Sequence, residues 1–144
     1  MDDATNLASD PRTRVAEFLA RFGRERNLNL PPLGEDGVGM IQRGTAVVTI
    51  HVLAEKSVLL LLSRVVKAPK LDEAKARRLL TLSFVETGDA AFAIHPQTGD
   101  VYLRILRGLE HLDYEEFEDI VHSIAKTADH WDDKLAAELA AEPA

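Results

Sequence analysis

The sequence predicts an α+β domain of element order α-β-β-β-α-β-β-α, a twisted antiparallel sheet with three helices. Two observations predict it. Apolar residues recur at helical spacing from residue 15, around residue 80 and from residue 117 onward, whereas stretches 38–66 and 90–107 alternate or run apolar and are rich in β-branched residues. Clusters of Gly, Pro, Asn and Asp mark the boundaries between the two periodicities. At 144 residues, 46% of them hydrophobic, the chain is long enough for one domain with a real core.

Residues 1–9 carry little apolar content and are expected to be disordered. The first helix starts at Asp10-Pro11, an N-cap followed by a proline whose missing N–H costs nothing there. Its stripe is Val15, Phe18, Leu19 and Phe22, and the prolines Pro31 and Pro32 exclude its continuation. Three strands in a meander follow over 38–42, 45–53 and 57–66, turning at Arg43-Gly44 and at 54–56. The third is apolar at every position from Val58 to Leu62, which predicts cover on both of its faces.

Asp72 caps a second helix, in which Ala76, Leu79, Leu80 and Phe84 span about 140° of a wheel and are expected to pack on the sheet. Leu82 and Val85 fall outside that arc, leaving a second apolar face that a homodimer contact would bury. A hairpin is expected over 90–107, turning at Pro96-Gln97-Thr98-Gly99. The last helix has the strongest start signal. Asp113 is its N-cap, Glu116 the capping-box partner, and Leu112 with Phe117 a hydrophobic staple. Its stripe runs through Ile120, Val121, Ile124, Ala128, Trp131 and Leu135, so the domain is expected to occupy residues 10–137, with 138–144 a frayed tail.

Net charge is −7, and its distribution is uneven. Residues 113–144 hold ten acids against Lys126 and Lys134, a net −8, so residues 1–112 carry +1. An acidic chain lacks the basic surface that phosphate neutralisation needs, which argues against nucleic acid as a partner. The absence of cysteine excludes disulfides and thiolate metal sites. The acidic Met1-Asp2-Asp3 start is unlike a signal peptide, and Val58–Leu62 is far too short to span a bilayer; no membrane insertion and a cytoplasmic location are expected.

Chemistry-bearing motifs are sparse. The histidines His51, His95, His111, His122 and His130 yield one-turn pairs at best, Asp119 with His122 and His130 with Asp133, whereas a metal needs three or four convergent ligands. Gly37-Val38-Gly39 starts like a dinucleotide fingerprint, but Gln42 replaces the third glycine and no helix follows. Walker and Gly-x-Ser-x-Gly motifs are absent. No catalytic residue, metal or cofactor is assigned, and the expected function is non-enzymatic. Surplus apolar surface is the positive signal. It is expected to serve extended peptide, through Val15, Phe18, Leu19 and Phe22 on the first helix and Val38, Met40, Val48 and Ile50 on the first two strands.

Three strings resemble a known family. They are Leu28-Asn29-Leu30-Pro31-Pro32-Leu33 running into Asp36-Gly37, then Thr87-Gly88-Asp89 followed by Pro96-Gln97-Thr98-Gly99, and last Leu112-Asp113 with Phe117, Ala128, Trp131 and Leu135. In this order they resemble the class I chaperones of bacterial type III secretion, the Tir chaperone family, over about residues 10–137. Departures are Gly88-Asp89 for a Gly-Gly pair, His95-Pro96 for Asp-Pro, and Arg107-Gly108-Leu109 for Leu-Pro-Leu. The resemblance implies a cytoplasmic homodimer built through the second helix and the following strand, here Leu79, Leu82, Val85 and Phe92. It implies binding of the N-terminal segment of a secreted effector in an export-competent, non-globular path without ATP, and the secretion ATPase as a further partner. A regulatory adaptor of the same fold, or a small-molecule enzyme using His122 and His130, are the competing expectations.

Overall fold

A computed structural model describes residues 10–140 and carries the eight expected elements in the expected order. Helix α1 spans Pro11–Glu25; strands β1, β2 and β3 span Val38–Arg43, Ala46–Leu53 and Val58–Val66. Helix α2 spans Glu73–Val85, strands β4 and β5 span Ala91–Ile94 and Val101–Gly108, and helix α3 spans Tyr114–Ala140. The expected disordered segment 1–9 and the last residues 141–144 lie outside the described residues.

The strands form one antiparallel sheet in the order β1-β2-β3-β5-β4. Gly44, at φ +59°, opens the two-residue turn between Arg43 and Ala46, a left-handed position where a side chain is strained. Side chains alternate strictly across this sheet. Ile41, Val48, Ile50, Leu59, Leu61, Leu103 and Ile105 all point to one face and are fully buried. The cover is α1, through Val15, Leu19 and Phe22, and α3, through Phe117, Ile120, Val121 and Ile124. Each such side chain contributes roughly 1.5–3 kcal/mol by leaving water.

The helices on that face are bound to each other as well as to the sheet. Phe117 meets Phe18 and Phe22 at ring-centroid distances of 5.6 and 6.4 Å. The Tyr114 hydroxyl donates to Glu25 at 2.8 Å, and the Arg21 guanidinium beside Glu25 holds that carboxyl below its ordinary range, with Tyr114 adding to the effect. Arg14 donates to the carbonyls of Leu109 and Leu112, fastening the β5–α3 loop to α1.

Capping follows the sequence with two exceptions. Asp72 accepts from Lys75 N–H and Asp113 from Glu116 N–H, both at 2.8 Å. Asp10 instead accepts from the Thr13 hydroxyl at 2.8 Å and caps no backbone donor. The Glu116 side chain, expected to complete a capping box with Asp113, instead lies 3.5 Å from Arg107, an ion pair across to β5.

Three expectations are corrected. Helix α3 continues past residue 137 to Ala140, because Leu139 is buried and its carbonyl accepts from Lys75 Nζ at 2.7 Å. Helix α2 is rolled: Leu79 and Leu82 are buried, while Leu80 and Phe84, expected to pack on the sheet, point outward with Val85. A helix apolar over most of its girth has no preferred arc on a wheel, and the β4 edge with the end of α3 selects the Leu79–Leu82 side. Strand β3, expected to be covered on both faces, is covered by the helices on one face only.

Candidate functional site

All three helices leave the second face of the sheet uncovered among the described residues. Its outward positions are Val38, Met40 and Gln42 on β1; Val47, Thr49, His51 and Leu53 on β2; and Val58, Leu60, Leu62 and Arg64 on β3. Beyond them lie Tyr102, Arg104 and Leu106 on β5, with Ala91 and Ala93 on β4. Met40 is 47% exposed, Leu106 43% and Val47 40%, on a face that a solvated sheet would fill with polar residues. The pairing fixes rows across it. Val38, His51, Leu60 and Leu106 form one row, and Met40, Thr49, Leu62, Arg104 and Ala91 form the next.

A shallow depression of about 540 Å³ lies at the centre of this face, lined by Val47, Thr49, His51, Leu62, Arg64 and Tyr102 among others. His51 Nε2 lies 3.0 Å from the Thr49 hydroxyl, and burial between its strand neighbours pushes the imidazole pKa down. Arg64 sits 3.6 Å from Asp100.

The two sheet edges differ. Along β4 the Phe92 amide already donates to Ser83 Oγ of α2 at 2.9 Å, so that edge is occupied. Among the described residues strand β1 pairs only with β2. At the start of its outer edge Val38 is occupied, its carbonyl accepting from Gly34 N–H at 2.9 Å and its amide donating to Asp36 Oδ1 at 3.1 Å, so the open stretch is that of Met40 and Gln42. An extended peptide can add there through backbone hydrogen bonds.

A separate apolar surface lies on α2. Phe84 is 91% exposed, with Leu80 and Val85 beside it, and together with Trp131 of α3 they line a depression of about 770 Å³. Three large apolar side chains exposed on adjacent turns form a contiguous apolar patch.

These positions sort the residues expected from sequence. Val15, Leu19, Phe22, Val48 and Ile50 are fully buried in the chain's own core and present nothing to a partner; this corrects their assignment as contact residues, since groove and core share one periodicity. Phe18 and Val38 are half-buried, and Met40 is exposed. Among the interface residues Leu79, Leu82 and Phe92 are spent on internal packing, Phe92 against Trp131 at 6.4 Å, whereas Val85 is free. Sequence reasoning passed over Val47, Leu53, Leu60, Leu62 and Leu106 on the sheet and placed Leu80 and Phe84 on the wrong side of α2. Strict alternation from the buried strand residues was the available signal.

The histidines do not converge. His95 Nδ1 accepts from the amides of Gln97 and Thr98, a turn role, His130 stacks edge-on against Trp131, and His122 lies exposed on α3. Among the described residues no group of three His, Asp or Glu side chains is arranged to hold a metal, and no helix is long and apolar enough to cross a membrane.

The fold class thus defined is a helix-backed antiparallel sheet with one bare face and a bare helix flank, an architecture for holding other chains. The chain belongs to the Tir chaperone protein (CesT) family, whose sequence profile matches residues 17–132. That family is one of chaperones. Comparison with curated proteins finds no significant match. Among solved structures, the chain is similar to one in the ExsC–ExsE complex, at 28% identity and a TM-score of 0.71, covering 85% of this chain and 94% of that one. It is similar in fold to one in the heterodimeric ExoU–SpcU complex of the type III secretion system of Pseudomonas aeruginosa, at 14% identity and a TM-score of 0.61, covering 87% and 97%. A third is from the Yersinia pestis type III secretion chaperone SycH bound to a fragment of YscM2, at 16% identity and a TM-score of 0.57, covering 80% and 97%.

Proposed function

We propose that this protein is a type III secretion chaperone that acts as a homodimer in the bacterial cytoplasm and holds the N-terminal segment of a secreted effector in an extended form ready for export. The observation that carries this reading is the bare sheet face, continuous with the stretch of the β1 edge beyond Val38. A segment pairing with β1 gains backbone hydrogen bonds there, while its continuation covers Met40, Val47, Leu53 and Leu60. Phe18 and Val38 contribute where the segment passes the first helix and the start of β1. No chemical step is involved; the binding free energy opposes folding and aggregation of the client until it is handed to the secretion ATPase.

The second copy covers Leu80, Phe84 and Val85 of α2 in this reading. Their exposure in one chain supports it, because burying each removes an aromatic or branched side chain from water at roughly 1.5–3 kcal/mol. Light scattering on the purified protein tests this part: a dimer is expected for the native chain and a folded monomer for Phe84→Asp. A native monomer at micromolar concentration overturns it. Co-expression with N-terminal segments of candidate effectors tests the client-binding part. A stable co-purifying complex with one of them, lost in Met40→Asp combined with Val47→Asp, is the supporting result.

A further inference from the structure

The bare sheet face is electrostatically one-sided. No outward position of any strand carries an acid, and the only full charges there are Arg64 and Arg104. The one acid whose charge acts on His51 is Asp36, in the turn before β1. In contrast, the chain's negative charge is concentrated on α3, on the far side of the sheet. A sheet and its covering helix layer are separated by about 10 Å, comparable to the distance over which physiological salt screens exposed charges. An approaching segment therefore meets the arginines of the face before it senses the acids of α3.

The arginines stand together. Arg64 pairs with Tyr102 and Arg104 with Leu62, so the two are diagonal neighbours on β3 and β5, within reach of each other's long side chains. Like charges so placed repel. Arg64 is partly compensated by Asp100, whose other oxygen accepts from Ala68 N–H at 2.9 Å; Arg104 has no ion-pair partner among the described residues. Around them the surface is apolar or neutral, with Leu62, Ala91, Ala93 and Tyr102. A guanidinium on such a surface gains most from a planar carboxylate that binds it bidentately as water is expelled.

We infer that Arg64 and Arg104 set the specificity of the bare face, selecting a client segment that presents Asp or Glu side chains among the apolar ones that lie against β3 and β5. The inference rests on the sheet face being the client site and adds a charge rule to it. A segment of apolar residues alone leaves the Arg104 guanidinium desolvated and unpaired and Arg64 with only its 3.6 Å contact to Asp100, and a segment with Lys or Arg at these places adds to an existing repulsion. Selection is thereby directed against the basic, apolar segments that an acidic chain with exposed hydrophobic surface would otherwise attract.

Fluorescence anisotropy with three labelled peptides tests this. Each alternates Val with Ser, and at two positions of the Val side carries Glu, Gln or Lys. The Glu peptide is expected to bind the native protein about tenfold more tightly than the Gln peptide and to lose that advantage at high salt, with the Lys peptide weakest. Arg64→Gln combined with Arg104→Gln, both on the surface, is expected to make the three peptides equivalent while leaving the thermal unfolding transition and the dimer unchanged. Equal binding of the Glu and Gln peptides to the native protein overturns the charge rule and leaves the sheet face as client site. Failure of all three to bind overturns the site and the rule together. Dissociation of the dimer in the double variant also overturns the rule, because the arginines then belong to the contact between copies.

Discussion

The two faces of the sheet are made by the same five strands and alternate residue by residue, yet they serve opposite ends. Val48 is fully buried and Val47, the next residue, is 40% exposed. The covered face is apolar at its centre, its one buried polar strand residue, Ser63, being satisfied by donation to the Val47 carbonyl at 3.0 Å, and polar only at its margins, where Arg43 and Arg107 lie. The bare face mixes Val, Leu and Met with Thr, His, Tyr and two arginines. Core surface tolerates no unpaired polar group, whereas a surface that must release its partner and stay dispersed without it needs polar atoms to hydrate. Composition along one strand therefore separates the face that makes the fold from the face that the proposed function assigns to a partner.

Substitution at the adjacent valines separates the two roles most sharply. Val48→Asp places an unpaired carboxylate under α1 and α3 and is expected to cost about 4 kcal/mol or more, leaving no cooperative transition in chemical denaturation. Phe117→Ala, which removes the ring holding Phe18 and Phe22, is expected to cost roughly 3–5 kcal/mol in the same measurement. Val47→Asp is expected to change stability by within about 0.5 kcal/mol while sharply weakening client binding in a pull-down. If Val47→Asp unfolds the chain, the bare face is part of its core and the contrast fails.

The smallest effect concerns pH. Burial lowers the folded-state pKa of His51 below its unfolded value, so the unfolded chain binds the proton more readily. Stability from this group is complete above the unfolded pKa of about 6.5 and is lost as pH falls through the folded value. Replacing His51 with Gln is expected to flatten the acid side of a plot of melting temperature against pH. An unchanged slope assigns that dependence to other groups.

Much of the fold was legible because local chemistry and global structure agree. Asp72 and Asp113 cap the helices they precede, the turn at Gly44 takes the left-handed conformation that glycine allows, and every strand lies within two residues of its expected span. The candidate site was less legible. Val15, Leu19, Phe22, Val48 and Ile50 carry the strongest apolar patterns in their segments, and for that reason they are core. The residues left for partners, Met40, Val47, Leu80 and Phe84, lie on weaker or ambiguous faces. An interaction surface must be apolar enough to bind and polar enough to stay exposed, and that mixture has no periodic signature of its own.

By itself the sequence determined the element order, the helix starts, the segregation of acid onto α3 and the family to which the chain belongs, since each depends on residues near one another in the chain. Tertiary structure alone decided which side of α2 faces inward, which sheet face is bare, and that Arg64 and Arg104 are diagonal neighbours on β3 and β5. Those outcomes depend on which surface of one element reaches another first, and β5, separated from β3 by α2 and β4, joins it only when the sheet closes.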